Sequence, residues 1–236
     1  MVIRSNPSSS KDADVSASAG TQLNESVYTA IKGQILRNKL RPGVKLTHQG
    51  LAELLTVSRT PVREALERLY QEGYVVRIPR RGYFVGEIGA DDVTDLYDAR
   101  EALELFQTNH LIKPPSADQM KSLKRINNEY RRLIGNHLSR ERLMVDREFH
   151  IKLASLSGNT YIEGLLEAIF DRLIMKRRID GYQDRHGINL YEEHVSILKA
   201  LEAGEFSLLS QLLRSHIRGA RLRFLTFLKE TSDDAD

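Results

Sequence analysis

Apolar residues recur at helical spacing through most of the chain. Val27, Ile31, Ile35 and Leu36 form one stripe that stops before Arg41-Pro42-Gly43, where Pro and Gly end the helix. A second, short helix follows Thr47, a suitable N-cap, and carries Leu51, Leu54 and Leu55. Thr56-Val57-Ser58 separates it from a third helix, in whose first turn Pro61 is tolerated because no N–H is needed there. Val62, Leu66 and Leu69 line one face of that helix, Arg59, Arg63 and Glu67 another, and Gly73 ends it. Two β-rich stretches, 74–78 and 83–85, flank Pro79-Arg80-Arg81-Gly82 and predict a hairpin with a basic tip. Helix, short helix, tight turn, helix and hairpin predict a winged helix-turn-helix.

From Asp91 the pattern is helical throughout, with breaks at Pro114-Pro115, Gly135-Asn136, Gly158-Asn159, Gly181 to Gly187, and Gly204. Strand-like alternation is absent, so six or so helices are expected to form an all-α bundle, the last running from about Ser207 to Leu228. The expected fold class is therefore mainly α: a winged helix-turn-helix over 21–88 and a helical domain over 89–236. Residues 1–20, rich in Ser, Ala and Asp and without apolar period, read as a disordered tail.

Composition narrows the chemistry. The 236 residues include no cysteine, which excludes a disulfide framework, a thiolate zinc site and an iron–sulfur cluster. Any metal must sit on histidine and carboxylate. No run approaches the ~20 apolar residues of a membrane span, and the N-terminus lacks a secretory h-region. A cytoplasmic protein without a membrane partner is expected. Residues 21–90 carry 11 Lys and Arg against 6 Asp and Glu, whereas 91–236 carry 22 against 24. A basic first third makes that region the candidate for nucleic acid.

Arg59 and Arg63, four apart, share a helical face, and Thr60 lies near the helix N-terminus, where free N–H groups favour phosphate. Arg can read guanine through two hydrogen bonds, at roughly 1–3 kcal/mol of discrimination per good pair. Arg80-Arg81-Gly82 at the hairpin tip is placed to reach the minor groove or the backbone. On charge alone, a solvated basic face is the better explanation of these residues; the tight turn, the Pro-started helix and the basic hairpin together reverse that and favour DNA. The run from Leu51 to Leu66, LAELLTVSRTPVREAL, resembles the signature of GntR-type bacterial transcription regulators. The resemblance implies that Ser58, Arg59, Thr60 and Arg63 contact operator DNA, with Arg81 and Gly82 acting from the wing. Two positions depart from it. Gln49 stands where the family often has Arg, which alters one DNA contact. Thr56 stands where Gly is usual, and a β-branched residue is strained in any left-handed backbone there.

A second signal interrupts three apolar stripes. Leu143, Asp146, His150, Leu153 and Ser157 share one face; Tyr191, His194, Leu198 and Leu201 another; Leu209, Leu212, His216, Ala220 and Phe224 a third. Burying a carboxylate and three imidazoles unpaired is costly, and one divalent cation shared by all four removes that cost. Nitrogen and oxygen ligands suit Zn²⁺, Ni²⁺, Fe²⁺ or Mn²⁺. Taken singly, each histidine reads as a hydrogen-bonded core residue, and the Asp146–His150 spacing also fits a plain helix-surface pair. Residues 91–228 resemble the helical FCD effector domain of the FadR branch of the GntR family, and at this length its shorter VanR-like subgroup. Members with Asp-x-x-x-His, then Glu-His, then a further His often bind a metal; Asp146, His150, His194 (after Glu193) and His216 complete that pattern. His48, His110, His137 and His186 read as ordinary surface or core residues.

Similar domains sense small organic acids, so the resemblance implies a small carboxylate or sugar-acid effector. Arg100, one turn from Leu96 and Leu103, matches a family arginine and suits a carboxylate; an ion pair with Asp98 or Glu104 explains it equally. Asn159 is a candidate pocket residue, though a helix-terminating turn accounts for it as well. The expected function is a homodimeric regulator gripping a palindromic operator, controlled by an acid. A metalloenzyme or a direct metal sensor built on the same Asp and three His is the alternative.

Overall fold

The computed structural model describes residues 10–111, 113–177, 179 and 182–233, with side chains over 21–108, 110–111, 113–177, 179 and 182–230. The chain divides into two compact units, Met1–Gly86 and Glu87–Asp236.

In the first unit, α1 (Ser10–Leu36) packs against α3 (Arg59–Gln71), with the short α2 (His48–Leu55) between them in sequence. Val27, Ile31 and Ile35 of α1 and Val62, Leu66 and Leu69 of α3 are all buried, as the stripes require. Polar contacts add direction: Arg68 Nε donates to Glu72 at 3.0 Å, its guanidinium lies 3.7 Å from the Tyr28 ring centre, and the Tyr28 hydroxyl donates to Glu72 at 2.6 Å. The helix reaches back to Ser10, which corrects the expected tail: 10–20 are helical, and 1–9 lie outside the described residues. A chain of Ser, Ala and Asp lacks an apolar stripe but includes good helix formers, so it can extend a helix nucleated downstream.

Three strands complete the unit. β2 (Val75–Ile78) and β3 (Gly82–Val85) form the expected antiparallel hairpin, with Val76 opposite Phe84 and Ile78 opposite Gly82. β1 (Lys45–Leu46) pairs with the other edge of β3, giving the order β1-β3-β2. Two residues show no alternation, so this strand has no signal in the sequence.

The second unit is helical: α4 (Ala90–Asn109), α5 (Ala117–Arg132), α6 (Arg140–Ala154), a 3-10 turn at Ser155–Ser157, α7 (Thr160–Met175), α8 (Gly187–Ala203) and α9 (Phe206–Asp233). Every predicted break falls between helices. Ser116 and Gln119 form a reciprocal capping box at the start of α5, and Gly158 and Gly204 close helices in the left-handed conformation. The last helix continues beyond Leu228 to Asp233. α4 and α9 make the most extensive helix pair, and α5, α6 and α8 pack around Leu123, Ile126, Phe149, Ile197 and Leu201. Among the described residues, no helix is long and apolar enough to cross a membrane.

Candidate metal centre and nucleic-acid interface

The turn between α2 and α3 is closed by backbone bonds. Val57 N–H donates to Ala52 O at 3.0 Å and Thr56 N–H to Glu53 O at 3.3 Å, the two bonds of a Schellman motif. This motif needs a left-handed residue, and Thr56 takes it, with φ 56° and ψ 46°. A threonine there stores on the order of 1–2 kcal/mol of strain. α3 then begins with Ser58 at its N-cap, and Ser58, Arg59, Thr60 and Arg63 are all exposed, while Pro61 and Val62 are buried beneath them. The helix thus presents its basic face outward. Gln49 is also exposed; its amide donates to Glu53 at 2.9 Å and its oxygen accepts from Arg59 Nη2 at 3.3 Å, so it braces one of the two arginines.

At the hairpin tip Arg81 N–H donates to Ile78 O at 3.0 Å around Pro79 and Arg80, and Arg80 has φ 62°, as in a type II turn. Gly82 follows at φ 97°. Arg81 lies over Phe84, 5.4 Å from the ring centre, and the Tyr83 hydroxyl donates to Glu67 at 2.8 Å, tying the wing to α3. His48 is spent on structure: it opens α2 and meets Tyr83 edge-on at 5.8 Å.

In the second unit, Asp146 and His150 from α6, His194 from α8 and His216 from α9 converge. One ligand atom from each lies within 4.8 Å of all the others. The histidines are buried, at 0%, 0% and 2% exposure. Each Nδ1 faces an oxygen acceptor: His150 meets Glu104 Oε2 at 2.7 Å, His216 meets Glu193 Oε2 at 2.7 Å, and His194 meets Asn127 Oδ1 at 3.1 Å. That places the proton on every Nδ1 and turns the three Nε2 lone pairs inward, the His150 one with Arg100 Nη2 at 2.8 Å, the arrangement that orients metal-binding imidazoles.

Those lone pairs are poorly served by protein alone. His150 Nε2 and His216 Nε2 are 3.1 Å apart with no proton to share in the neutral rings. His194 Nε2 and Asp146 Oδ1 face each other at 3.5 Å, and both are buried without a hydrogen bond among the described residues. Protonation is an unfavourable remedy. Burial and then the neighbouring His216 and His150 hold His194 well below the usual imidazole range, and burial lowers His216 despite its bond to Glu193. A carboxylate and three imidazoles that converge, two of their ligand atoms without a hydrogen bond among the described residues, fit a divalent transition ion.

Arg100 is buried, with its guanidinium 4.4 Å from the Phe170 ring centre, and donates through Nε to Glu104 at 2.5 Å. Its Nη2 lies 2.8 Å from His150 Nε2. Of its two readings, the Glu104 pair is present, and it stands against the metal cluster. Burial would raise the Glu104 carboxyl, but Arg100 and His150 more than offset this and hold it down to about 2. Asn159 caps α7, accepting from Ile162 N–H at 3.2 Å, and does not line the neighbouring cavity. Its assignment to effector contact is therefore corrected to a helix cap. His110 accepts its own place at the end of α4, with Nδ1 2.6 Å from Phe106 O.

Beside the cluster lies a cavity of about 80 Å³, lined by Asp146 and His216 together with Tyr97, Tyr130, Arg142, Arg177 and Arg223. The segment before α8 closes one side of it through an antiparallel bridge between His137 and Gln183 and the buried ion pair of Arg142 with Asp184. Gly187 is needed for that closure, because a Cβ there would strike both partners of the pair. Sequence reasoning missed these three arginines. Arg142 lies i−4 from Asp146 and Arg223 lies seven beyond His216, so both continue the stripes that marked the metal ligands. Arg177 sits past the end of α7 and had no such signal.

Comparison with known proteins agrees with both units. Residues 23–85 match the model for bacterial regulatory proteins of the gntR family, and residues 95–219 match the FCD domain. An HTH-type transcriptional regulator from an unstable DNA locus of Streptomyces ambofaciens is 30% identical over 199 residues, 84% of each chain. The Nta operon transcriptional regulator of Aminobacter aminovorans is 32% identical over 161 residues, 68% of this chain and 75% of that one. Among solved structures, a GntR transcriptional regulator from Rhodococcus sp. RHA1 superposes with a TM-score of 0.74 at 25% identity, covering 86% of this chain and 97% of its own. E. coli McbR/YncC shares the fold, with a TM-score of 0.75 at 20% identity, covering 89% and 98%. With an exposed basic helix after a tight turn, a basic wing and a helical FCD domain, the chain belongs to the GntR family of bacterial transcription regulators.

Proposed function

We propose that this regulator binds a palindromic operator as a homodimer, and that a small carboxylate or sugar acid held in the metal-containing helical unit controls that binding. The observation that carries the reading is the set of inward Nε2 lone pairs and the Asp146 carboxylate beside an arginine-lined cavity. Ser58, Arg59, Thr60 and Arg63 contact the operator from α3, Gln49 from α2, and Arg81 and Gly82 from the wing. The exposure of all of them but the half-buried Gly82 supports the assignment. A cation on Asp146, His150, His194 and His216 supplies a Lewis-acidic point for a carboxylate. Zn, Ni, Fe and Mn all suit these donors. Glu104, Glu193 and Asn127 hold the imidazoles in the metal-binding tautomer, and Arg100 adds positive charge beside His150. The six helices of the second unit favour the shorter, VanR-like subgroup. The protein works in the cytoplasm, where operator and metabolites meet.

The test has two stages. Metal-loaded and chelator-stripped protein are screened by thermal shift against small carboxylic and sugar acids, since a ligand of the native state raises the melting temperature by mass action. An acid that shifts only the metal-loaded form is then added to protein bound to a DNA fragment selected from a random library. A change in fluorescence anisotropy with the acid supports the reading. Metal-independent shifts, or an acid that binds without altering DNA affinity, overturn it.

A further inference from the structure

The charges around the cavity are almost all paired. Arg142 is held by Asp184 through two bonds, one of 2.8 Å, and both side chains are 3% exposed. Arg223 faces Glu193 with both terminal nitrogens at 3.3 Å. Arg185, exposed at the rim, faces Glu230 at 4.0 Å. Arg177 is different. Its guanidinium lies over both Phe224 and Phe227, at 4.3 and 4.4 Å from their ring centres, and makes no ion pair among the described residues. Its Nε is buried without a partner, and it lines the same cavity as Asp146 and His216.

Resting on the acid-effector reading above, we infer that the cavity takes a small dianion, a short dicarboxylate with one carboxylate at the metal cluster and the other on Arg177. Charge selects it. A divalent ion offset by Asp146 leaves one positive charge, the pairs of Arg142 and Arg223 cancel, and Arg177 leaves a second. A dianion neutralises both, whereas a monocarboxylate or a monoanionic sugar acid leaves a desolvated guanidinium uncompensated, which is costly. The shape of the guanidinium favours a carboxylate, which it can engage through two parallel bonds. The two aromatic rings hold it flat and restrict its rotamers before any ligand arrives, so little ordering is lost on binding. Size selects a short chain, because 80 Å³ holds on the order of half a dozen water-sized groups.

The experiment is calorimetric titration of the full-length, zinc-loaded protein with succinate and glutarate against butyrate and gluconate, zinc content being measured first. The expected result is that a diacid binds at least tenfold more tightly than either monoanion. Arg177→Gln should remove that advantage by weakening the diacids about tenfold more than butyrate, and Arg177→Lys should keep part of it. Equal affinity for mono- and dianions in the wild type, or a preference that survives Arg177→Gln, overturns the assignment and leaves the acid-effector reading standing. Binding of none of the four acids, or failure to load zinc, overturns both. If Arg177→Gln does not fold, judged by circular dichroism, the wild-type ratio and Arg177→Lys decide.

Discussion

The two units place their chemistry in opposite environments. In the first, Arg59, Thr60 and Arg63 stand in solvent on a helix whose other face, Val62, Leu66 and Leu69, is buried. In the second, His150, His194 and His216 are themselves core residues, stacked among Phe149, Phe170 and one another. DNA has to be met from outside, by groups that stay hydrated until contact. A metal site must be dry and rigid, and the candidate ligands here come from three different helices, each imidazole held by the oxygen of Glu104, Glu193 or Asn127. The lesson is that function and stability are separable in the first unit and inseparable in the second.

Metal removal is the strongest way to break that contrast. Stripping the ion with a chelator, or substituting His194→Ala, should lower the melting temperature of the metal-loaded protein by roughly 10 °C, since an ion bound far below its working concentration adds about 4 kcal/mol. Scanning calorimetry with and without chelator checks this, and an unchanged transition with full metal retention removes His194 from the site.

Gly187→Ala comes next. The added methyl meets the Arg142–Asp184 pair and Ile134. Overpacking of this kind costs about 1–3 kcal/mol, and cavity closure should loosen with it. Urea titration reads the stability loss; a variant as stable as the wild type shows that the pair can move aside without penalty.

On the exposed side, Arg59→Ala and Arg63→Ala should each weaken operator binding by about 1–3 kcal/mol and flatten its salt dependence. Their melting temperatures should stay within a degree or so of the wild type, because exposed substitutions rarely exceed about 0.5 kcal/mol. Anisotropy titrations at several salt concentrations test the first part and calorimetry the second. Unchanged affinity in both variants would remove α3 from the interface.

The smallest effect sharpens the comparison from the other direction. Thr56→Gly relieves about 1–2 kcal/mol of left-handed strain and forfeits about 0.5–1 kcal/mol through the freer unfolded chain, for a net gain of about 0.5–1 kcal/mol. A gain in melting temperature with unaltered operator affinity would mean that the strain serves nothing. A gain in stability with weaker binding would mean that the strained turn helps to aim Arg59, as strained backbone often does at functional sites.

Most of the architecture is legible along the chain because its rules are local. Gly73, Gly158 and Gly204 end helices through their own backbone preferences, whereas α1 stops at Leu36 on a left-handed Asn38 (φ 59°) rather than at Pro42-Gly43; the apolar stripes report which face of each helix is covered. The signature from Leu51 to Leu66 lies within two helices and one turn, so a resemblance in sequence is also a resemblance in shape. The Asp146, His150, His194 and His216 cluster is legible for a related reason: a charged or imidazole side chain on a buried stripe is an anomaly that periodicity alone exposes. Local signals have limits at the ends, where α1 continues back to Ser10 and a two-residue strand leaves no pattern.

What only the tertiary structure decided lies across long separations. Glu104 meets His150 from 46 residues away, Asn127 meets His194 from 67, and Glu193 meets His216 from 23. Each is an unremarkable polar residue on its own helix; it becomes part of the site because packing brings an oxygen to a particular nitrogen. Asn159 shows the converse, a residue with a plausible pocket role whose side chain the fold commits to capping α7. Arg177 has no ion pair among the described residues because two rings of α9 cover it and the acids around the cavity pair with other arginines. Sequence alone determines which segments are helical and which faces are buried, since both depend on neighbours three or four residues away. Which charges end up paired depends on contacts between helices, and those exist only in the folded chain.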